Sequence, residues 1–133
     1  MSYYPDNGTR FRYKGGYKYQ LQEGYRHALV AIPDASLQGF IMVTQGELGI
    51  ARGYAWDGPS GPTIDTKNFM RGSLVHDALY QLMREGRISE DYRKLADKTL
   101  YDICRADGMS WVRAKFVYHA VRMFGGKHAR KDK

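Results

Sequence analysis

The hydrophobic period of this chain changes once, near its middle. Up to about Tyr54 the apolar residues alternate or run in short bursts, whereas from about Lys67 they recur at the three-and-four spacing of helical faces. In the first part, residues 17–22 (YKYQLQ) alternate, residues 25–32 (YRHALVAI) form a mostly apolar run, and residues 39–54 read as two short strands around a Gln45-Gly46 turn. Pro33, Asp34 and Gly39 interrupt the pattern between strands. An antiparallel meander of about four strands is the economical arrangement.

Three helices are predicted after it. The first runs from about Lys67 to Glu85 and stops at Gly86. Ser89, followed by Glu90 and Asp91, caps a second whose Tyr92, Leu95, Ala96, Thr99, Leu100 and Ile103 share one face, and Gly108 ends it. Ser110 caps a third, which closes at Gly125-Gly126. Strands first and helices after make the fold class α+β. At 133 residues, 43% of them hydrophobic, the chain suits one core, so residues 1–126 are expected to form a single domain. Residues 127–133 (KHARKDK) are charged enough to read as a flexible tail.

No apolar run reaches the roughly 18 residues a membrane span needs, and the amino terminus lacks the apolar stretch of a secretory signal. A cytoplasmic protein is the expectation. Cys104 is the sole cysteine, which excludes an internal disulfide and a cysteine-based metal site and suits a small buried hydrophobe. Thirteen Lys and Arg against seven Asp and Glu place +6 of the net +7 in residues 84–133. Such asymmetry points to an anionic partner, a membrane surface or a nucleic acid, or else to a solubilising helical surface. No basic-aromatic nucleic-acid motif accompanies the charge, so nucleic acid is not favoured.

The first predicted helix carries adjacent ionisable residues in an apolar run, SLVHDALYQLM (residues 73–83). At about 100° per residue, His76 shares a side with Phe69, Tyr80 and Met83, while Asp77 turns toward Ser73, Gln81 and Arg84. A buried imidazole needs partners for its nitrogens, and Asp77 diverges from it, so the partner belongs to another segment. Asp97, at the flank of the second helix's apolar face, where a carboxylate reaches a neighbouring helix without full desolvation, is a candidate. A carboxylate holding one imidazole nitrogen leaves the other to take a proton from water, the general-base arrangement. The alternative is a core histidine satisfied by a backbone carbonyl, with Asp77 paired to Arg84.

Upstream lies GYAWDGPSGPTID (residues 53–65), stiff at Pro59 and Pro62 and open to close backbone approach at Gly58 and Gly61. Asp57 with Asp77 offers hard oxygen ligands for calcium or magnesium, and loop carbonyls at Gly58 and Gly61 can join them. The alternative is a rigid crossover in which Asp57 or Ser60 makes turn hydrogen bonds.

Taken together, Asp57, Ser60 and Pro62, then His76, Asp77 and Tyr80, then Ala96 and Asp97, then Ala120, Val121 and Arg122 form an ordered pattern. It resembles that of a phage- and prophage-encoded domain family of unknown function, over about residues 50–125. The resemblance implies a viral protein made in the host cytoplasm, with phage or host proteins among its partners. More distantly, the helices resemble the secreted phospholipases that cleave the sn-2 ester. That likeness implies an antiparallel helix pair, His76 as base and Asp97 as its orienting partner. It also implies Ca2+ held by Asp77 and the carbonyls around Asp57 to Gly61. Ser60 and Tyr80, from the phage-family pattern, are further candidate site residues. The chain differs from those enzymes in lacking disulfides and in adding an amino-terminal sheet. Two functions are therefore expected alternatives: an esterase or phospholipase-like hydrolase, and a non-catalytic structural, lysis-associated or host-interaction protein in which the histidine network is structural.

Overall fold

A computed structural model describes residues 13–14, 19–28, 32–56 and 67–131. The fold is α+β: antiparallel strands in two sheets, followed by helices. The chain divides into two compact units, Met1–Asp57 and Gly58–Lys133, where the sequence suggested one domain.

Among the described residues, the first unit holds seven short strands. These are β1 (Tyr13–Lys14), β2 (Tyr19–Leu21), β3 (Tyr25–Ala28), β4 (Ala35–Leu37), β5 (Ile41–Thr44), β6 (Glu47–Ile50) and β7 (Ala55–Trp56). One sheet has the order β1-β2-β7 and the other β3-β6-β5-β4, all pairs antiparallel. The expected four-strand meander is thus corrected. Only β4, β5 and β6 follow one another across the sheet, and β3 returns to the far edge beside β6, the strand order of a Greek key. The β5–β6 turn falls at Gln45-Gly46, as the sequence indicates, with both residues at positive φ, the geometry that matches strand twist in a two-residue hairpin. Alternation does its ordinary work on β5, where Ile41 and Val43 are buried while Met42 and Thr44 face solvent. Across from them on β6, Leu48 and Ile50 complete the apolar layer.

The second unit is helical. It comprises α1 (Lys67–Arg84), a single 3-10 turn at Glu90–Tyr92, α2 (Arg93–Ala106), α3 (Trp111–Phe124) and α4 (Gly126–Ala129). Ser89 accepts a hydrogen bond from the Asp91 amide and Ser110 from the Arg113 amide, as expected of caps. Helices α1 and α2 end alike. Gly86 and Gly108 have φ of +71° and +98°, and the residue after each donates back to the carbonyl five positions earlier, Arg87 to Leu82 and Met109 to Cys104. This is the left-handed glycine stop, with Met109 then tucked into the core.

Helix α1 packs against α2 and α4, and α2 against α3. Its neighbours pair in reverse order, Tyr80 with Arg93, His76 with Asp97 and Gly72 with Leu100 and Cys104, so α1 and α2 run antiparallel. Phe69, Leu100, Cys104, Met109, Ala114 and Val117 form one core of this unit. Beyond Gly126 the structure differs from the expected loose tail. A short helix forms, Ala129 is fully buried, and Arg84 donates to the His128 carbonyl at 2.8 Å. A buried apolar residue and a backbone acceptor help to seat a segment that its charge alone marks as solvated. Among the described residues, no helix is long and apolar enough to cross a membrane.

Candidate functional site

At the crossing of α1 and α2 the structure brings together His76, Tyr80 and Asp97. His76 Nε2 lies 2.7 Å from Asp97 Oδ1, and the Tyr80 hydroxyl donates to the same oxygen at 2.5 Å. The two donors are one helical turn apart on α1, which is why both reach a single acceptor. The other oxygen, Oδ2, accepts from Arg122 Nη1 of α3 at 2.8 Å and lies 4.0 Å from Arg93 Nε, one turn back on α2. Because an ionised carboxylate only accepts, the imidazole nitrogen facing it carries the hydrogen.

Asp97 is fully buried, which corrects the expectation that it sits at a partly solvated flank. The helical wheel places it off the apolar centre, but three donors and a second guanidinium fill the space that water would otherwise occupy. A buried charge is tolerable when paired and hydrogen-bonded in this way. His76 is also buried, at 8% exposure. Its ring lies 4.1 Å from that of Tyr80, centroid to centroid.

The second imidazole nitrogen, Nδ1, looks toward Asp77, whose Oδ1 is 3.9 Å away and whose side chain is 34% exposed. That distance is too long for a hydrogen bond, and the contact becomes an ion pair when the imidazole is protonated. Burial is the largest influence on His76 and disfavours its cation, yet the carboxylates of Asp77 and Asp97 together outweigh it and hold the pKa above the ordinary 6.5. For Asp97, burial works against ionisation, but His76, Tyr80 and Arg122 prevail and keep its pKa below the ordinary 3.8. Burial, then Asp97, pushes the Tyr80 hydroxyl well above the usual 10, so it remains a donor.

Arg93 and Arg122 are the members that helix-face reasoning does not find. Arg93 Nε donates to the Tyr80 hydroxyl at 3.1 Å, and its Nη2 donates to the carbonyls of Val121 and Arg122 at 2.7 and 2.6 Å. It therefore caps the end of α3 while bracing the ring that braces Asp97. The signal was its position four residues before Asp97. Arg122 stood in the motif pattern without a role. Gly125 belongs to the same packing, since a Cβ there would lie 2.9 Å from the Tyr80 hydroxyl oxygen.

No protein-family model matches this chain, and comparison with curated proteins and with solved structures gives no significant match.

Of the remaining expected site residues, Asp57, Gly58, Ser60 and Gly61 lie outside the described residues. Among the described residues, no three His, Cys, Asp or Glu side chains converge as a metal site. Asp77 is the one expected calcium ligand with a described position. The anticipated pairing of Asp77 with Arg84 is not the contact Arg84 makes through Nη1, which goes to His128. Elsewhere in this unit, Arg71 grips Asp107 through two hydrogen bonds at 3.0 and 2.8 Å, a bidentate pair tying α1 to the end of α2.

Proposed function

We propose that His76 is a general base for hydrolysis of an ester, with Asp97 as its orienting partner. The observation that carries this reading is the fixed polarity of the imidazole: Nε2 is committed to Asp97 at 2.7 Å, and Nδ1 points to the part-exposed side where Asp77 sits. In this reading, neutral His76 takes a proton from water at Nδ1 while Nε2–H stays on Asp97. Asp97 stabilises the imidazolium that results, and Tyr80 and Arg122 keep its carboxylate ionised and oriented. The ordered motif resemblance supports placing the protein among phage-encoded components. In the same reading calcium, which the likeness to the phospholipases implies, would be held by Asp77 and would stabilise negative charge developing on the substrate.

The test is hydrolysis of a short-chain phospholipid or a nitrophenyl ester. His76→Ala and Asp97→Asn are expected to abolish turnover while folding is retained by circular dichroism; unchanged turnover in both removes the proposal. Because the raised pKa keeps the imidazole protonated longer, kcat/KM is expected to rise with pH through a midpoint above 6.5. Asp77→Asn should move that midpoint down.

A second reading rests on a different observation: one carboxylate ties α1, α2 and α3 together with every bond internal to the protein. That is the pattern of a structural lock, suited to a non-catalytic virion, lysis-associated or host-interaction protein. It predicts that His76→Ala loses stability with no chemical phenotype, and that the protein copurifies with particles or a host factor.

A further inference from the structure

Helix α3 has two apolar faces, and only one is used by the core. Ala114 and Val117 are buried, with Val121 packed beside them. On the opposite side, Val112, Phe116, His119 and Met123 fall within about 60° of one another at 100° per residue. All four are exposed, Val112 at 71% and Met123 at 74%, and Trp111 and Phe124 extend the exposed surface at either end. Five large apolar side chains held out on one helix exceed what a solvated surface needs.

The segment that carries this stripe is one-sided in charge. From Gly108 to Lys131 the chain has six Lys and Arg and no Asp or Glu. Lys115 sits at the edge, with Nζ 5.7 Å from the centre of the Trp111 ring and 5.8 Å from that of Tyr101. Lys127, Arg130 and Lys131 are exposed just beyond the helix. A second copy of the chain is a poor occupant, since an isologous contact would press like charges together.

We propose that the outer face of α3 binds an anionic bilayer surface, inserting Val112, Phe116 and Met123 among the acyl chains while Lys115 and Lys127 meet the headgroups. An apolar stripe flanked by cations, with an aromatic residue at the boundary, is the arrangement that lies in such an interface. The inference does not require His76 to be a base.

The test uses the full-length chain with vesicles of phosphatidylcholine alone or mixed with phosphatidylserine. Cosedimentation is expected with the mixed vesicles only, weakening as salt rises, with a blue shift of Trp111 emission. Trp56, the other tryptophan, is buried at 2% and contributes a constant background. The double substitution Phe116→Ser with Met123→Ser should weaken binding at least about tenfold, and Lys115→Gln or Lys127→Gln by about fivefold each. His76→Ala should bind as the parent does, which separates this inference from the hydrolase reading. Absence of binding to anionic vesicles at low salt, equal binding to both vesicle types, or a dimer that the double substitution dissolves would each overturn it. Lys115, Phe116, Met123 and Lys127 are exposed, so circular dichroism of those variants should be unchanged.

Discussion

Replacing Asp97 by alanine is the perturbation that probes the site most directly. Its Oδ1 serves His76 and Tyr80, and its Oδ2 serves Arg122. Truncation leaves an imidazole and a phenol buried without their acceptor, at about 1–3 kcal/mol each. The Arg122 side chain is 31% exposed, so water recovers most of its share. The expected loss is about 3–5 kcal/mol, the range for breaking one side of a buried ion pair, and a large fraction of a typical folding stability. Asp97→Asn keeps the shape and one acceptor but turns an amide NH2 toward either Arg122 or the His76–Tyr80 pair, so about 1–3 kcal/mol is expected. Urea unfolding followed by far-ultraviolet circular dichroism measures this, because all the described helices belong to residues 58–133. The slope against urea should not change.

The pH dependence has a defined sign. The raised His76 pKa contributes stability that is fully present below 6.5 and fades as pH rises through the folded value. The lowered Asp97 pKa contributes stability present above 3.8 and lost as pH falls through its folded value. The gap between parent and Asp97→Ala should therefore be widest near about pH 5 and shrink on both sides. A loss under about 1 kcal/mol for Asp97→Ala, or a gap that does not vary with pH, would refute the reasoning.

Two other outcomes check the packing around this site. Gly72→Ala would place a Cβ 2.9 Å from Leu100 Cδ1 and 3.0 Å from Cys104 Sγ, overfilling the α1–α2 contact, and should cost about 1–3 kcal/mol in urea unfolding. Cys104 is fully buried, and burial pushes its thiol pKa up to about 12, so it should resist alkylation in the native protein and react on denaturation.

Much of the helical half was legible because its punctuation is local. Ser89, Ser110, Gly86 and Gly108 act on their own turns, so the boundaries could be taken from neighbouring residues alone. The facing of His76 and Tyr80 was equally legible, since periodicity places them together, and the choice of Asp97 followed from what an imidazole needs. The depth of Asp97 was not. A helical wheel weighs apolarity and is blind to the guanidinium groups that arrive from Arg93 and Arg122, one of them on another helix. The sheet order escaped for a related reason: the apolar run at 25–32 and the pattern around Gln45-Gly46 identify β3 and β6 as strands but say nothing of their pairing across intervening hairpins. Likewise, charge marked residues 127–133 as loose, while the burial of Ala129 and the Arg84 bond to the His128 carbonyl seat the described part.

Because one oxygen receives donors from successive turns of α1, that helix has a single permitted seating. Sliding it by one residue moves it about 1.5 Å and rotates it by about 100°, carrying His76 and Tyr80 away from the acceptor together. Leucines and methionines would accommodate such a slip with modest loss, whereas this junction refuses it. Asp97 thus acts as a key for helix alignment, and an apolar residue there would be expected to leave a core that is oily enough to collapse but undecided about its phase.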